Sequence, residues 1–388
     1  MQRKLTAGEL LDGRGRLIEA GWATGETRRY RRAAVRAGWH RIKEWDYYAV
    51  LNDRFGFACV VADNGYMGLL NAVWLDFEKP GFTEEGVIVP FPRGRMRLPE
   101  SADEGDIVQR HPKMDIAFRH VPGGRRITLS YPGFGKGRGM AADLFLAQPA
   151  MDRMVIATPF PDAPLAFYYN QKINCMAAEG RVTVGGDTFS FEPQTSFGVL
   201  DWGRGVWTYD NVWYWGSASG MTEGKSFGFN IGYGFGDTSA ASENMIFFEG
   251  RAHKFDQVTF HLPEGTFTGA PWKFTSNDGR FDMTFEPVVD RHSAVDLKLI
   301  RSIQHQVFGR FSGVALLDDG RRIEVEASVV VNAAGVWSDE VRGLDEGTAP
   351  DTIRPAKGVH ITVPWERVRN DIAVVVPVPK DKRSVFVV

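Results

Sequence analysis

A mainly β fold, built from many short antiparallel strands, is what this sequence predicts, with an incomplete α/β piece at its C-terminal end. Three observations carry the prediction. Aromatics and glycine are both abundant, with 27 Phe, 11 Trp, 10 Tyr and 43 Gly in 388 residues; aromatics favour strands, and glycines favour turns and bulges. Short alternating or apolar runs, bounded by Gly, Pro or Asp, recur from residue 113 to 326. Near residue 327 the texture changes to an unbroken valine run followed by Asn-Ala-Ala-Gly.

In order along the chain, residues 1–40 are polar and turn-rich, and WDYYAVLN and FGFACVVAD then read as strands separated by Asp53 and Arg54. YMGLLNAVWLDFE continues the sheet, and 79–112, with several prolines and mixed charges, reads as a long connection or edge region. RVTVGGDTFSFE reads as a hairpin about Gly185-Gly186. Asn277-Asp278-Gly279 and Asp318-Asp319-Gly320 are tight-turn signals between later strands. Many short strands at close spacing mean a barrel or a double sandwich. SVVVNAAGVWSDEVRGL then reads as a buried parallel strand entering an α/β unit. The final VFVV lacks a turn or polar cap and reads as a truncated strand, because an unpaired apolar edge invites aggregation, with a sheltered edge strand as the alternative.

Composition narrows the function classes. A formal net charge of -2 provides no global field for nucleic acid. The basic start, Arg28 to Lys43, reads as a solvated face, with a phosphate- or membrane-facing patch as the alternative. Cys59 and Cys175 form no CxxC pair, and the histidines show no HxH or HxxxH spacing, so no metal centre is expected. No run approaches the ~18–20 apolar residues of a membrane helix. Cytoplasmic residence is the default expectation.

The densest chemistry lies in 196–244. Trp207, Trp213 and Trp215 follow Asp201-Trp202-Gly203-Arg204-Gly205, and Asn230 and Glu243 come later. Trp213 and Trp215, at alternate positions, share one face of a strand. Two readings stand: Arg204 staples strands through Asp201 or Glu243, or the cluster is a site. In the second reading Asp201 or Glu243 is the acid, its pKa raised by aromatic walls, with Arg204 beside it and Trp207, Trp213, Trp215 and Asn230 facing a ligand. Gly135 to Gly139 precede a strand rather than open a helix, so they read as a hairpin loop.

KEWDYY (43–48), DNGY (63–66), DWGRG…W (201–207), WYWGSASG (213–220), FNIGYGFGD…ENMIFFEGRAHK (229–254) and HQVFGRFSG (305–313) resemble the bacterial family of unknown function DUF2804, over roughly residues 5–326. That family resembles lipocalin-like β proteins, a loose grouping that includes carotenoid hydratases and tocopherol cyclase. The resemblance implies an apolar ligand, a lipid or isoprenoid, by analogy of fold.

The tail, from VVVNAAGVWSDEV (329–341) through IRPAKGVHITVP (353–364) to residue 388, is similar to FAD-dependent glycerol-3-phosphate dehydrogenase. The resemblance implies that Asn332, Ala333, Ala334, Gly335 and Trp337 lie against FAD. It puts Lys357 and His360 on the substrate side, His360 as a catalytic candidate and Lys357 as a substrate contact, with Arg354 just upstream as another. FAD also needs a GxGxxG at a helix N-terminus and an acidic residue beyond it, and residues 1–326 contain no such fingerprint. No cofactor is therefore expected unless the tail works. The domains divide as 1–326 and 327–388. Three functions compete: an apolar-ligand-binding or lipid-modifying β protein, an FAD-dependent oxidoreductase of glycerol 3-phosphate, and a non-catalytic structural module.

Overall fold

The computed structural model describes residues 2–296 and 301–335 and the two short strands Val374–Pro377 and Ser384–Val387; from 326 to 335 the description is of the backbone. With 58% strand and 3% helix, the chain is mainly β, as the sequence predicts.

Two large antiparallel sheets form the body. The first has thirteen strands. Its main path runs Gly81–Pro90, Met67–Asp76, Phe55–Asp63, Ile42–Leu51, Phe197–Val206, Phe167–Val184, Met140–Ala147, Gly124–Tyr131, Met114–Val121 and Ile107–His111. The second has nine strands, with Tyr214–Thr222, Arg322–Gly335 and Arg301–Leu316 at its centre. Both hydrogen-bonded paths are open, and in each the two edge strands are consecutive in the chain. The connection between the edges therefore runs along the seam.

The hairpin signals hold. Gly185 and Gly186, both at positive φ, turn Phe167–Val184 into Asp187–Phe191. Gly279 and Gly320 close the other two anticipated turns in the same left-handed region. Residues 134–137 make a single helical turn between two paired strands.

Apolar residues divide among three cores. One fills the first unit and includes Tyr48, Phe118 and Trp202; a second fills the other unit around Phe229, Trp272 and Phe311. A third lies between the sheets, where Ala49, Leu75, Phe77 and Val199 meet Trp215, Val289 and Phe308. Polar bonds add to this junction: Asn174 Nδ2 donates to Ser217 Oγ at 2.7 Å, and Gln306 Nε2 donates to Tyr47 Oη at 3.0 Å. Asn174 reaches across because Phe167–Val184 bulges between Ile173 and Met176, where Cys175 adopts φ 60°. A bulge bends its strand and re-aims the side chains at it.

One element differs from the sequence reading. Arg322–Gly335 is antiparallel to both neighbours, Tyr214–Thr222 and Arg301–Leu316, and is not a parallel strand of an α/β unit. An unbroken apolar run marks an interior strand but does not reveal the direction of its partners. The strand also crosses residue 327. At the far end, Val374–Pro377 pairs with Ser384–Val387. No described helix is long and apolar enough to cross a membrane.

Candidate site at the junction of the two sheets

Strand alternation places Tyr168, Asn170 and Lys172 on one face of Phe167–Val184. Their ladder partners are Gly205, Gly203 and Asp201, and the next strand contributes Trp45 and Tyr47 beside Gly203 and Asp201. The glycine at 203 has a steric purpose. A Cβ there would lie 2.0 Å from Trp45 Cζ2, so only glycine lets the indole press against the sheet. Trp45 stacks on Tyr168 with centroids 6.1 Å apart and meets Trp207 edge-on at 5.3 Å. Phe235 completes the wall, 4.6 Å from Tyr168, 4.8 Å from Trp207 and 5.7 Å from Trp213.

Beside this wall lies a chain of polar groups. Lys172 Nζ is 2.7 Å from Asp201 Oδ1, which also accepts from Asn170 Nδ2 at 2.8 Å. The same ammonium sits 4.4 Å from the Trp215 ring. Trp215 Nε1 donates to Asn230 Oδ1 at 2.7 Å, and Asn230 Nδ2 donates to the Glu243 carbonyl at 2.9 Å and to Glu243 Oε2 at 3.5 Å. Glu243 is buried, and burial pushes its carboxyl pKa up; Lys172 opposes the shift and Asp201 adds to it. Burial likewise raises the Tyr168 phenol, helped by the fields of Glu243 and Asp201.

The face also carries spare hydrogen-bonding capacity. Asn170 Oδ1, Asn174 Oδ1, Thr158 Oγ1 and Trp207 Nε1 are buried with no partner among the described residues. Such atoms cost on the order of 1–3 kcal/mol each unless something satisfies them. Chemically, a raised carboxyl next to an ion-paired carboxylate separates a proton donor from an acceptor.

Six of the sequence-predicted residues meet here: Asp201, Glu243, Asn230, Trp207, Trp213 and Trp215. Arg204 does not. Three positions from Asp201 on a strand, it points to the opposite face, so it cannot staple to Asp201 or Glu243. It is fully buried inside the first unit, paired with Asp46 at 2.8 Å and donating to the carbonyls of Pro99, Trp45 and Gly203. Trp337, Arg354, Lys357 and His360 lie outside the described residues. Sequence reasoning missed Lys172, Asn170, Tyr168, Trp45 and Phe235. Its available signal was YYNQKINCM, where a lysine and two asparagines interrupt a strand-like run.

The FAD expectation can be tested on the backbone of 332–335. Asn332, Ala333 and Ala334 pair with Gly216, Trp215 and Tyr214 on one side, and with Val307, Gln306 and His305 on the other. A dinucleotide approaches a turn whose amides are free, whereas these residues lie inside a ladder. They do not fit FAD in this arrangement.

Comparisons with known proteins match two overlapping stretches of the chain. A family model described as FAD dependent oxidoreductase matches residues 298–388. Glycerol-3-phosphate dehydrogenase of Mycobacterium leprae is 39% identical over 79 residues, covering 20% of this chain and 13% of that protein. Alpha-glycerophosphate oxidase of Enterococcus casseliflavus is 32% identical over 131 residues, 29% of this chain and 21% of that one. The chain thus spans about an eighth to a fifth of these relatives. Among solved structures, an AttH protein of Nitrosomonas europaea aligns with TM-score 0.47 and 14% identity, over 76% of this chain and 92% of its own. Kievitone hydratase of Nectria haematococca aligns with TM-score 0.46 and 13% identity, over 76% and 90%. The model of the domain of unknown function DUF2804 matches residues 2–332, and the chain belongs to that family.

Proposed function

We propose that this protein binds an apolar small molecule, of lipid or isoprenoid type, where its two sheets meet, and that Glu243 is the proton-bearing group of the site. The observation that carries the reading is the juxtaposition of a buried carboxyl, raised by desolvation, with an aromatic wall and unpartnered amide oxygens. An apolar body suits the wall of Trp45, Tyr168, Trp207 and Phe235, and a hydroxyl suits Asn170 Oδ1. Proton donation from Glu243, with the Asp201–Lys172 pair alongside, is the chemistry such a site adds to binding. A reducing compartment suits the two free cysteines.

Titration of the whole chain with farnesol and with lauric acid, followed by tryptophan fluorescence, tests this. Saturable quenching by one of them, changed in affinity by E243Q, supports the reading. Absence of saturation with both, and no lipid in an organic extract of the purified protein, sinks it.

The tail homology supports a second reading, oxidation of glycerol 3-phosphate, and adding FAD before gel filtration tests it. Retention of a flavin band by the protein would favour that reading over the backbone argument at 332–335.

A further inference from the structure

Residues 33–43 and 91–97 are rich in arginine and contain no acidic residue, in a chain whose formal net charge is -2. The fold sets these two segments side by side. Buried Asp63 fixes one of them, its Oδ1 accepting from the Gly65 amide at 2.9 Å and its Oδ2 from the Gly94 amide at 2.8 Å. The other closes on the same turn: a Cβ at Gly65 would stand 2.1 Å from the Trp39 carbonyl oxygen. The Arg93 guanidinium then lies 4.3 Å from the Trp39 ring.

Packing turns the cations outward. Ala34, Val35 and Ala37 rest on the core of the first unit, which leaves Arg36 and Trp39 exposed. Pro92, Met96 and Leu98 are buried, while Phe91, Arg93, Arg95 and Arg97 are exposed. Among the described residues no carboxylate pairs with Arg36, Arg93, Arg95 or Arg97, whereas Arg29, Arg31 and Arg32 are spent on Glu9 and Glu44. Large apolar side chains stand among these charges: Trp39 is 39% exposed, Phe91 54%, and Ile88, on the adjoining edge strand, 62%. Three residues of the second segment, Phe91, Arg93 and Arg97, hold φ of 47°, 53° and 52°. Such backbone is uncommon outside glycine and concentrates at functional sites.

We propose that this surface docks on an anionic phospholipid bilayer, with Arg36, Arg93, Arg95 and Arg97 on the headgroup phosphates and Trp39, Phe91 and Ile88 entering the boundary with the acyl chains. Arginine supplies the charge complement to phosphate. Exposed apolar side chains interleaved with it fit a partner that has hydrocarbon directly beneath its phosphates, and indole suits that interface. A second copy of the chain does not fit, because a two-fold contact would set this basic surface against itself. The proposal rests on these residues alone and not on the ligand site at the junction of the sheets.

Co-sedimentation of the intact chain with vesicles tests it. The chain should bind vesicles of equal parts phosphatidylcholine and phosphatidylglycerol, should not bind phosphatidylcholine alone, and should lose affinity as salt is added. R36Q/R97Q should weaken partition by about tenfold or more, since each arginine near an anionic surface contributes about fivefold, and F91S should weaken it as well. R126Q/R322Q removes the same charge from exposed positions on strands outside the patch and should bind as wild type does. All of these side chains are exposed, so the urea transitions should match that of wild type. Equal binding to both kinds of vesicle, or to neither, overturns the proposal. So does a loss in R126Q/R322Q as large as that in R36Q/R97Q, or binding to a duplex DNA oligonucleotide without binding to the anionic vesicles.

Discussion

Replacing Gly203 by alanine should destabilise the first unit through space alone. The backbone there is not in the left-handed region, so alanine costs nothing in φ. Its Cβ, however, would stand 2.0 Å from Trp45 Cζ2 and 2.3 Å from Cε2 and Cη2. Ordinary carbon contacts sit near ~3.5–4.0 Å, so the indole would have to retreat by roughly 1.5 Å. Tyr168 is stacked against it and Trp207 meets its edge, so retreat means displacing the aromatic wall. Overpacking on this scale costs about 1–3 kcal/mol. Urea unfolding followed by tryptophan emission should show the loss as an earlier transition. Adding W45L to G203A should restore at least half of it by removing the ring. A G203A transition within about 0.5 kcal/mol of wild type, the usual range of neutral surface changes, would refute the packing of Trp45 on this strand and with it the wall of the site.

R204M should be more severe, about 3–5 kcal/mol, because it strands the buried Asp46 carboxylate; the D46N change made on top should recover part of that in the same urea assay. For Glu243 the sign follows from a raised folded pKa: the burial cost is absent while both states are protonated and grows as pH rises above the unfolded value of 4.5. The melting temperature of wild type should therefore fall relative to E243Q as pH rises above about 4.5, and parallel curves would mean that the carboxyl is not buried. Lys254 is pushed down to about 7, chiefly by burial. Between that value and 10.5 the folded chain binds fewer protons than the unfolded one, so stability rises with pH. K254M should lack this rise, and thermal melts across the alkaline range will show whether the curves diverge as expected.

Much of the fold was legible because strands announce themselves by alternation and by glycine turns. Asn277-Asp278-Gly279 and Gly185-Gly186 each end one strand and begin the next. The site was legible only in its aromatic and acidic members. Asp201 and Glu243 are 42 positions apart in the sequence, and nothing local says that one bulged strand carries Lys172 between them. The separation of Arg204 from Asp201, by contrast, was available from strand period alone, since positions three apart face opposite ways. The valine run at 329–331 was correctly read as a strand, but its direction depends on partners more than twenty residues away along the chain.

The strand Arg322–Gly335 is claimed by both family matches, which overlap from 298 to 332. Its backbone bridges Tyr214–Thr222 to Arg301–Leu316, so it is the keystone of the second sheet whatever its ancestry. Cutting the gene where the homologies appear to change, near 327, would amputate the inner half of that keystone and leave two strands facing a gap. Anyone wishing to study the β body by itself should place the stop codon beyond Gly335, and should count a soluble product of the shorter cut as a sign that the two flanking strands have found each other.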